Sequence, residues 1–238
     1  MKKLVIIPVF ILLISAGSFP QESRKVTLDI RVLLQGPYKS SYLMSDELNK
    51  ENLIPLFQPY NKKPWNYSGE EHVNKIPKDV VDWILVELTN DTNRSKVISQ
   101  KAAFLKTDGK VASLDGENSL TFENRKENSC YLVILHRNHL PVMSSRPVDL
   151  SADVQYDFTL SSQKAFGNSL INLGNGEFGM ISGDSDANGE ITNHDFKEVA
   201  SNLLKVGYEN ADLDMNGVVN ILDYKIINSN LSKRTAVR

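Results

Sequence analysis

Near the end of this 238-residue chain, the segment Asp184-Ser185-Asp186-Ala187-Asn188-Gly189-Glu190-Ile191-Thr192-Asn193-His194-Asp195 is answered 28 residues later (212 minus 184). The second copy reads Asp212-Leu213-Asp214-Met215-Asn216-Gly217-Val218-Val219-Asn220-Ile221-Leu222-Asp223. Both copies carry oxygen side chains at positions 1, 3, 5 and 12, glycine at 6 and a β-branched apolar residue at 8. A twelve-residue loop with that spacing can gather 6 to 8 hard oxygens around Ca²⁺, from the acids, the amide, the carbonyl of residue 7 and a water near position 9. Glycine at 6 permits the sharp turn between ligands. One copy alone could be a surface Asx turn ahead of a helix. Two copies agreeing at six positions point to a repeated cation loop, with Ile191 and Val219 expected to join the loops through a short β contact.

Short helices must follow each loop. Thr192 and Asn220 are suitable N-caps, and Asp195 and Asp223 fall at the third helical position, where negative charge suits the helix dipole. Phe196, Val199, Leu203 and Leu204 in one copy, and Ile221, Tyr224, Ile227 and Leu231 in the other, predict two amphipathic helices that bury these faces against each other.

Ahead of the repeat the patterning changes to that of strands. Val26, Leu28, Ile30, Val32 and Leu34 alternate with Thr27, Asp29 and Arg31, which predicts a strand with one buried face. The denser apolar runs 80–88 and 130–135 predict central strands covered on both sides, and 155–160 alternates again. Asp108-Gly109 and Asp115-Gly116 mark hairpin turns. Residues 39–78, rich in Pro, Asn and Lys, predict an irregular layer with a helical turn near 45–51. The expected fold is mainly β: an immunoglobulin-like β-sandwich (25–165), a linker or docking segment (166–182), a small α-helical domain carrying the loops (183–231) and a tail (232–238). Leu170, Ile171, Leu173, Phe178, Met180 and Ile181 make 166–182 too apolar for a loose tether. It is expected to pack between sandwich and helices, in an interface that includes Phe178 and either Ile221 or Leu222.

Residues 1–18 have the layout of a secretory signal peptide: Lys2 and Lys3, an apolar run from Leu4 to Ile14, then small residues. The run is too short to span a membrane. The expected location is extracellular or at the cell surface. Twenty-seven basic against 29 acidic residues argue against a nucleic-acid partner. A single cysteine, Cys130, excludes an intrachain disulfide and suits an oxidising compartment if it is buried.

Glycine and alanine, rather than a helical pattern, precede the loops, and both loops close with Asp rather than Glu. In this combination residues 183–231 resemble a dockerin domain, type I-like, a duplicated loop-helix module that binds two Ca²⁺ and docks onto cohesins. The resemblance implies metal ligands at Asp184, Asp186, Asn188, the Glu190 carbonyl and Asp195, and at Asp212, Asp214, Asn216, the Val218 carbonyl and Asp223. It also implies a partner-reading role for loop positions 10 and 11, here Asn193-His194 and Ile221-Leu222, where such dockerins usually carry small hydroxyl residues. The β region resembles a module that precedes dockerin-like repeats in secreted bacterial surface proteins of unassigned activity.

Common catalytic signatures are missing from the sequence. His136 and His139, three apart on an extended strand, would face opposite ways, as would Asp82 and Glu87, so neither pair is expected to share a metal or a substrate. Arg137 and Asn138 are expected to bond loop carbonyls. The functional expectation is a secreted, non-catalytic calcium-binding protein, with no catalytic residues, whose tail docks to a cohesin-like partner in a polysaccharide-degrading or cell-surface assembly. The alternative is a structural or adhesive surface protein whose repeat clamps onto its own β-sandwich. The sequence names no carbohydrate ligand.

Overall fold

The computed structural model describes residues 24–39, 41–124 and 127–237; the expected leader, 1–18, lies outside them. The chain is mainly β. Its strands run β1 (Arg24–Arg31), β2 (Tyr38–Lys39), β3 (Leu43–Met44), β4 (Val80–Thr89), β5 (Val97–Lys106), β6 (Val111–Ala112), β7 (Leu120–Asn124) and β8 (Ser129–Leu135). They continue with β9 (Val142–Met143), β10 (Val148–Asp149), β11 (Val154–Asp157), β12 (Ile171–Gly174) and β13 (Glu177–Gly179). The helices are α1 (Glu47–Lys50), α2 (Asn193–Ser201) and α3 (Ile221–Asn230).

Two sheets enclose the main core. One has the order β11-β1-β7, with β11 parallel and β7 antiparallel to β1. The other runs β10-β8-β4-β5-β6, with β9 also on β8. The alternation of β1 places Val26, Leu28 and Ile30 in the core and leaves Lys25 and Asp29 exposed. Every residue of β4 is buried, because the irregular layer covers its second face: the Tyr60 hydroxyl donates to the Trp83 carbonyl, and Trp83 Nε1 donates to the Pro55 carbonyl. The predicted strand 155–160 ends early. Asp157 Oδ1 accepts from the Thr159 N–H and hydroxyl, and this cap turns 158–160 into a 3₁₀ turn.

Segment 166–182 is an ordered part of the body. Asn175-Gly176, with φ of 53° and 82°, closes the β12–β13 hairpin in the left-handed conformation that such turns require. Beyond it, Met180 exchanges hydrogen bonds with Leu33 and Gln35, extending the backbone pairing beside β1, and Leu170, Met180 and Ile181 are buried. A second, smaller core forms from Leu140, Ile181, Ile191, Val199, Ala211, Leu213, Val219 and Ile227. Four of the predicted helix-face residues lie elsewhere. Leu203 and Leu204 fall after α2 ends and, like Ile221, are exposed, while Leu231 is half-buried. What holds the helices together is Val199, Ile227 and the Phe196–Tyr224 ring pair, with centroids 4.6 Å apart.

Cys130 is buried, and burial, with the charge of Glu127, pushes its thiol up to about 12, so the thiolate that reacts is scarce. Among the described residues no helix is long and apolar enough to cross a membrane.

Candidate cation loops and their anchorage

Each loop is wound around its first and last carboxylates. In the first copy, Asp184 accepts from the N–H groups of Asn188 and Gly189, while Asp195 Oδ1 accepts from Ser185 N–H and Asp195 Oδ2 from Thr192 N–H. The second copy repeats the pattern: Asp212 accepts from Asn216 and Gly217, and Asp223 from Leu213, Asp214 and Asn220. The closing acid also completes a capping box with Thr192 or Asn220, so one residue ends the loop and starts the helix.

The outcome is two convergent acid clusters. Carboxylate oxygens of Asp184, Asp186 and Asp195 lie within 4.8 Å of one another, and so do those of Asp212, Asp214 and Asp223. Asn188 and Asn216 brace these clusters: each donates its Nδ2 to the acid two residues before it and accepts at Oδ1 from residue 7, Glu190 or Val218. The Val218 carbonyl also accepts from Asn220 Nδ2.

Holding three acids this close is costly without a counter-cation. Burial, with the charges of Asp195 and Asp186 behind it, pushes the Asp184 carboxyl up to about 7. Burial and then Asp223 and Asp212 push Asp214 to about 7 as well. Asp212 is also raised by burial, against the pull of Arg137. A donor set of carboxylate and amide oxygens with no nitrogen or sulfur ligand is the chemistry of a hard divalent cation, and these residues fit Ca²⁺.

The loops do not pair with each other as the sequence predicted. Ile191 N–H donates to Lys233 O and Ile191 O accepts from Ser232 N–H, both at 2.8 Å. Val219 bonds Lys205 and Leu204 at 2.9 and 2.8 Å. Each loop is thus closed by the segment that follows the other copy's helix, a long-range exchange that no local periodicity encodes.

The repeat is bound to the β body through polar groups, among which Tyr208, Asn230 and Gln35 were not singled out by the sequence. Buried Asp82 accepts from Arg137 Nε at 2.8 Å and from the Tyr208 hydroxyl at 2.6 Å. Arg137 also donates to the Glu209 carbonyl and lies over the Tyr208 ring, 4.2 Å from its centroid. Asn138 Nδ2 donates to the carbonyls of Asn210 and Asp212, and Asn230 Nδ2 to Gln35 and the Ser182 carbonyl. Arg137 and Asn138 therefore do bond loop carbonyls, as expected. Ile221 and Leu222, by contrast, are 60% and 47% exposed and make no part of this interface. Asn193 and His194 are exposed too, so positions 10 and 11 of both copies face outward. Phe178 packs against the main core.

The histidine pair also departs from expectation. β8 ends at Leu135 and the chain bends, so His136 and His139 meet with Nδ1 atoms 3.1 Å apart instead of facing opposite ways. His139 Nε2 accepts from Gly36 N–H, which places its proton on Nδ1, and His136 Nε2 faces Asp82 at 3.3 Å. Burial lowers both pKa values, leaving two neutral imidazoles with every ring nitrogen engaged in the protein. Asp82 and Glu87 stay apart: Glu87 binds Arg94 and Gln100 instead.

No family model and no curated protein matches the chain. Six chains of solved structures match. Two of them come from an N-terminal and a C-terminal interface mutant of a type II cohesin–X–dockerin complex from Acetivibrio cellulolyticus. Each has a TM-score of 0.40 and 17% identity, covering 64% of this chain and 83% of that one.

Proposed function

We propose that this is a secreted, non-catalytic protein that binds two Ca²⁺ through residues 184–195 and 212–223 and uses the repeat, dockerin-like, to dock onto another protein. The observation that carries the reading is the pair of acid clusters, built alike down to their backbone hydrogen bonds and each concentrating three carboxylates within 4.8 Å. Calorimetry on the full chain should give two sites. Asp184→Ala or Asp212→Ala should leave one, and the double variant none; a wild-type chain that takes up no calcium at pH 7.5 sinks the reading.

The docking half rests on surface chemistry. Leu204 (82% exposed), Val206, Ile221 and Leu222 are large apolar residues that cost free energy in water, and backbone pairing of Leu204 with Val219 brings the first two beside the start of α3. Because they bury little in this chain, Leu204→Ser and Leu222→Ser are expected to change folding stability by no more than about 0.5 kcal/mol in urea melts. A loss above about 2 kcal/mol would mean that they serve the fold, not a partner.

A clamp on the chain's own β body is the second reading, favoured by the buried contacts of Arg137, Asn138 and Asn230. The two are compatible, since the clamp uses the inner side of the repeat and the apolar residues lie on the outer side.

A further inference from the structure

Loop 1 and loop 2 are closed by segments of different kinds. For loop 2 the closing segment is internal: Val219 and Gly217 bond residues 204, 205 and 207, and the chain runs on to Tyr208 and Glu209, which hold Asp82 and Arg137. For loop 1 it is the C-terminal segment 232–237. Thr235 N–H donates to Gly189 O at 2.9 Å, Thr235 Oγ1 donates to Pro141 O at 2.7 Å, and Val237 is buried in the main core. One end of this strap is therefore paired to the loop and the other is set in the β body.

From this arrangement we infer that residues 232–237 are the positioning element of the first cation loop alone, linking its occupancy to the β body. The inference rests on the calcium reading above. Glu190 and Arg234 form a pair in which the flanking residues make the hydrogen bonds, so Glu190 turns its own N–H and carbonyl away from the strap. Its N–H goes to Asn188 Oδ1, on the loop side. The strap thus holds the position-7 carbonyl toward the acids without touching it. Val218 and Val206 have the same relation in loop 2, which needs nothing from the C-terminus.

The test is calcium calorimetry on the full chain, on a chain ending at Leu231 and on Val237→Asp, which expels the anchor but keeps the pairing residues; strand circular dichroism checks folding. Both variants are expected to weaken one site at least tenfold and leave the other within about threefold. In an Asp184→Ala background the same changes should have no effect on the remaining site; in Asp212→Ala they should have their full effect. Two sites unchanged by either variant, or both weakened alike, overturn the role of the strap and leave the calcium reading standing. No sites in the unaltered chain overturn both.

Discussion

Chelating divalent cations should lower the melting temperature of the full chain by roughly 15–30 °C and remove the helical circular dichroism before the strand signal. A cation at about 1,000 times its Kd stabilises the form that binds it by about 4 kcal/mol, so two sites supply about 8, against a total of about 5–15 for a typical domain. At this chain length each kcal/mol is worth about 2–4 °C. The helices are the first to go because the closing acids, Asp195 and Asp223, sit in the first turns of α2 and α3, which share only a small core. Protons should compete with the cation. Asp184 and Asp214, near 7 in the metal-free fold, lie well above the ordinary carboxylate value of about 3.9, so each is largely protonated below that pH and must ionise to bind. Affinity is therefore expected to climb as pH rises through 7 and to level off above it. Melting curves that superimpose with and without chelator would contradict the whole account.

Arg137→Met should be the most damaging single change outside the loops, costing about 3–5 kcal/mol, or roughly 6–20 °C. Burial works against charge on both partners, yet Arg137 holds Asp82 below its ordinary range and Asp82 holds Arg137 above its own, so the pair is ionised and fully desolvated. Removing the guanidinium leaves Asp82 buried with the Trp83 N–H, the Tyr208 hydroxyl and neutral His136 but no counter-charge, and cuts the link to Glu209. Changing both, Asp82→Leu with Arg137→Met, should cost less than Arg137→Met alone, because no orphaned charge remains. Urea denaturation measures this. A loss under about 1 kcal/mol for Arg137→Met would show that the interface is wet and the pair weak.

Local signals in the sequence were reliable wherever a residue's environment is set by its near neighbours. The alternation of Val26, Leu28 and Ile30 follows from the pleat of one strand, and the Asp-Asp-Asn-Gly spacing from hydrogen bonds made within one loop. The failures come from breaks in an element that periodicity does not show, such as the end of β11 at Asp157, and from partners distant in sequence. Ile191 meets Lys233 rather than Val219, a partner chosen by how the two copies are interleaved. His136 and His139 come together because the chain bends after Leu135, where an extended strand would separate them. Ile221 and Leu203 have helical spacing suited to a core, but α2 stops at Ser201 and α3 turns its first residues outward. For Arg137 the sequence pointed to loop carbonyls, and it bonds one at Glu209, but its buried pairing with Asp82, 55 residues earlier in the chain, carried no local signal.

Gly36 bears on how kindred sequences should be read. A side chain there would place its first carbon 1.7 Å from the Leu213 carbonyl oxygen, where backbone meets backbone. No rotamer relieves such an overlap, and neither chain can withdraw while His139 Nε2 holds the Gly36 N–H and the Ser182 hydroxyl holds that same Leu213 carbonyl. The absence of a single methyl group at position 36 is thus a diagnostic letter. Homologous chains that keep glycine there can share this seating of the repeat against the sheets, and those that have drifted to a bulkier residue must carry the repeat in some other orientation.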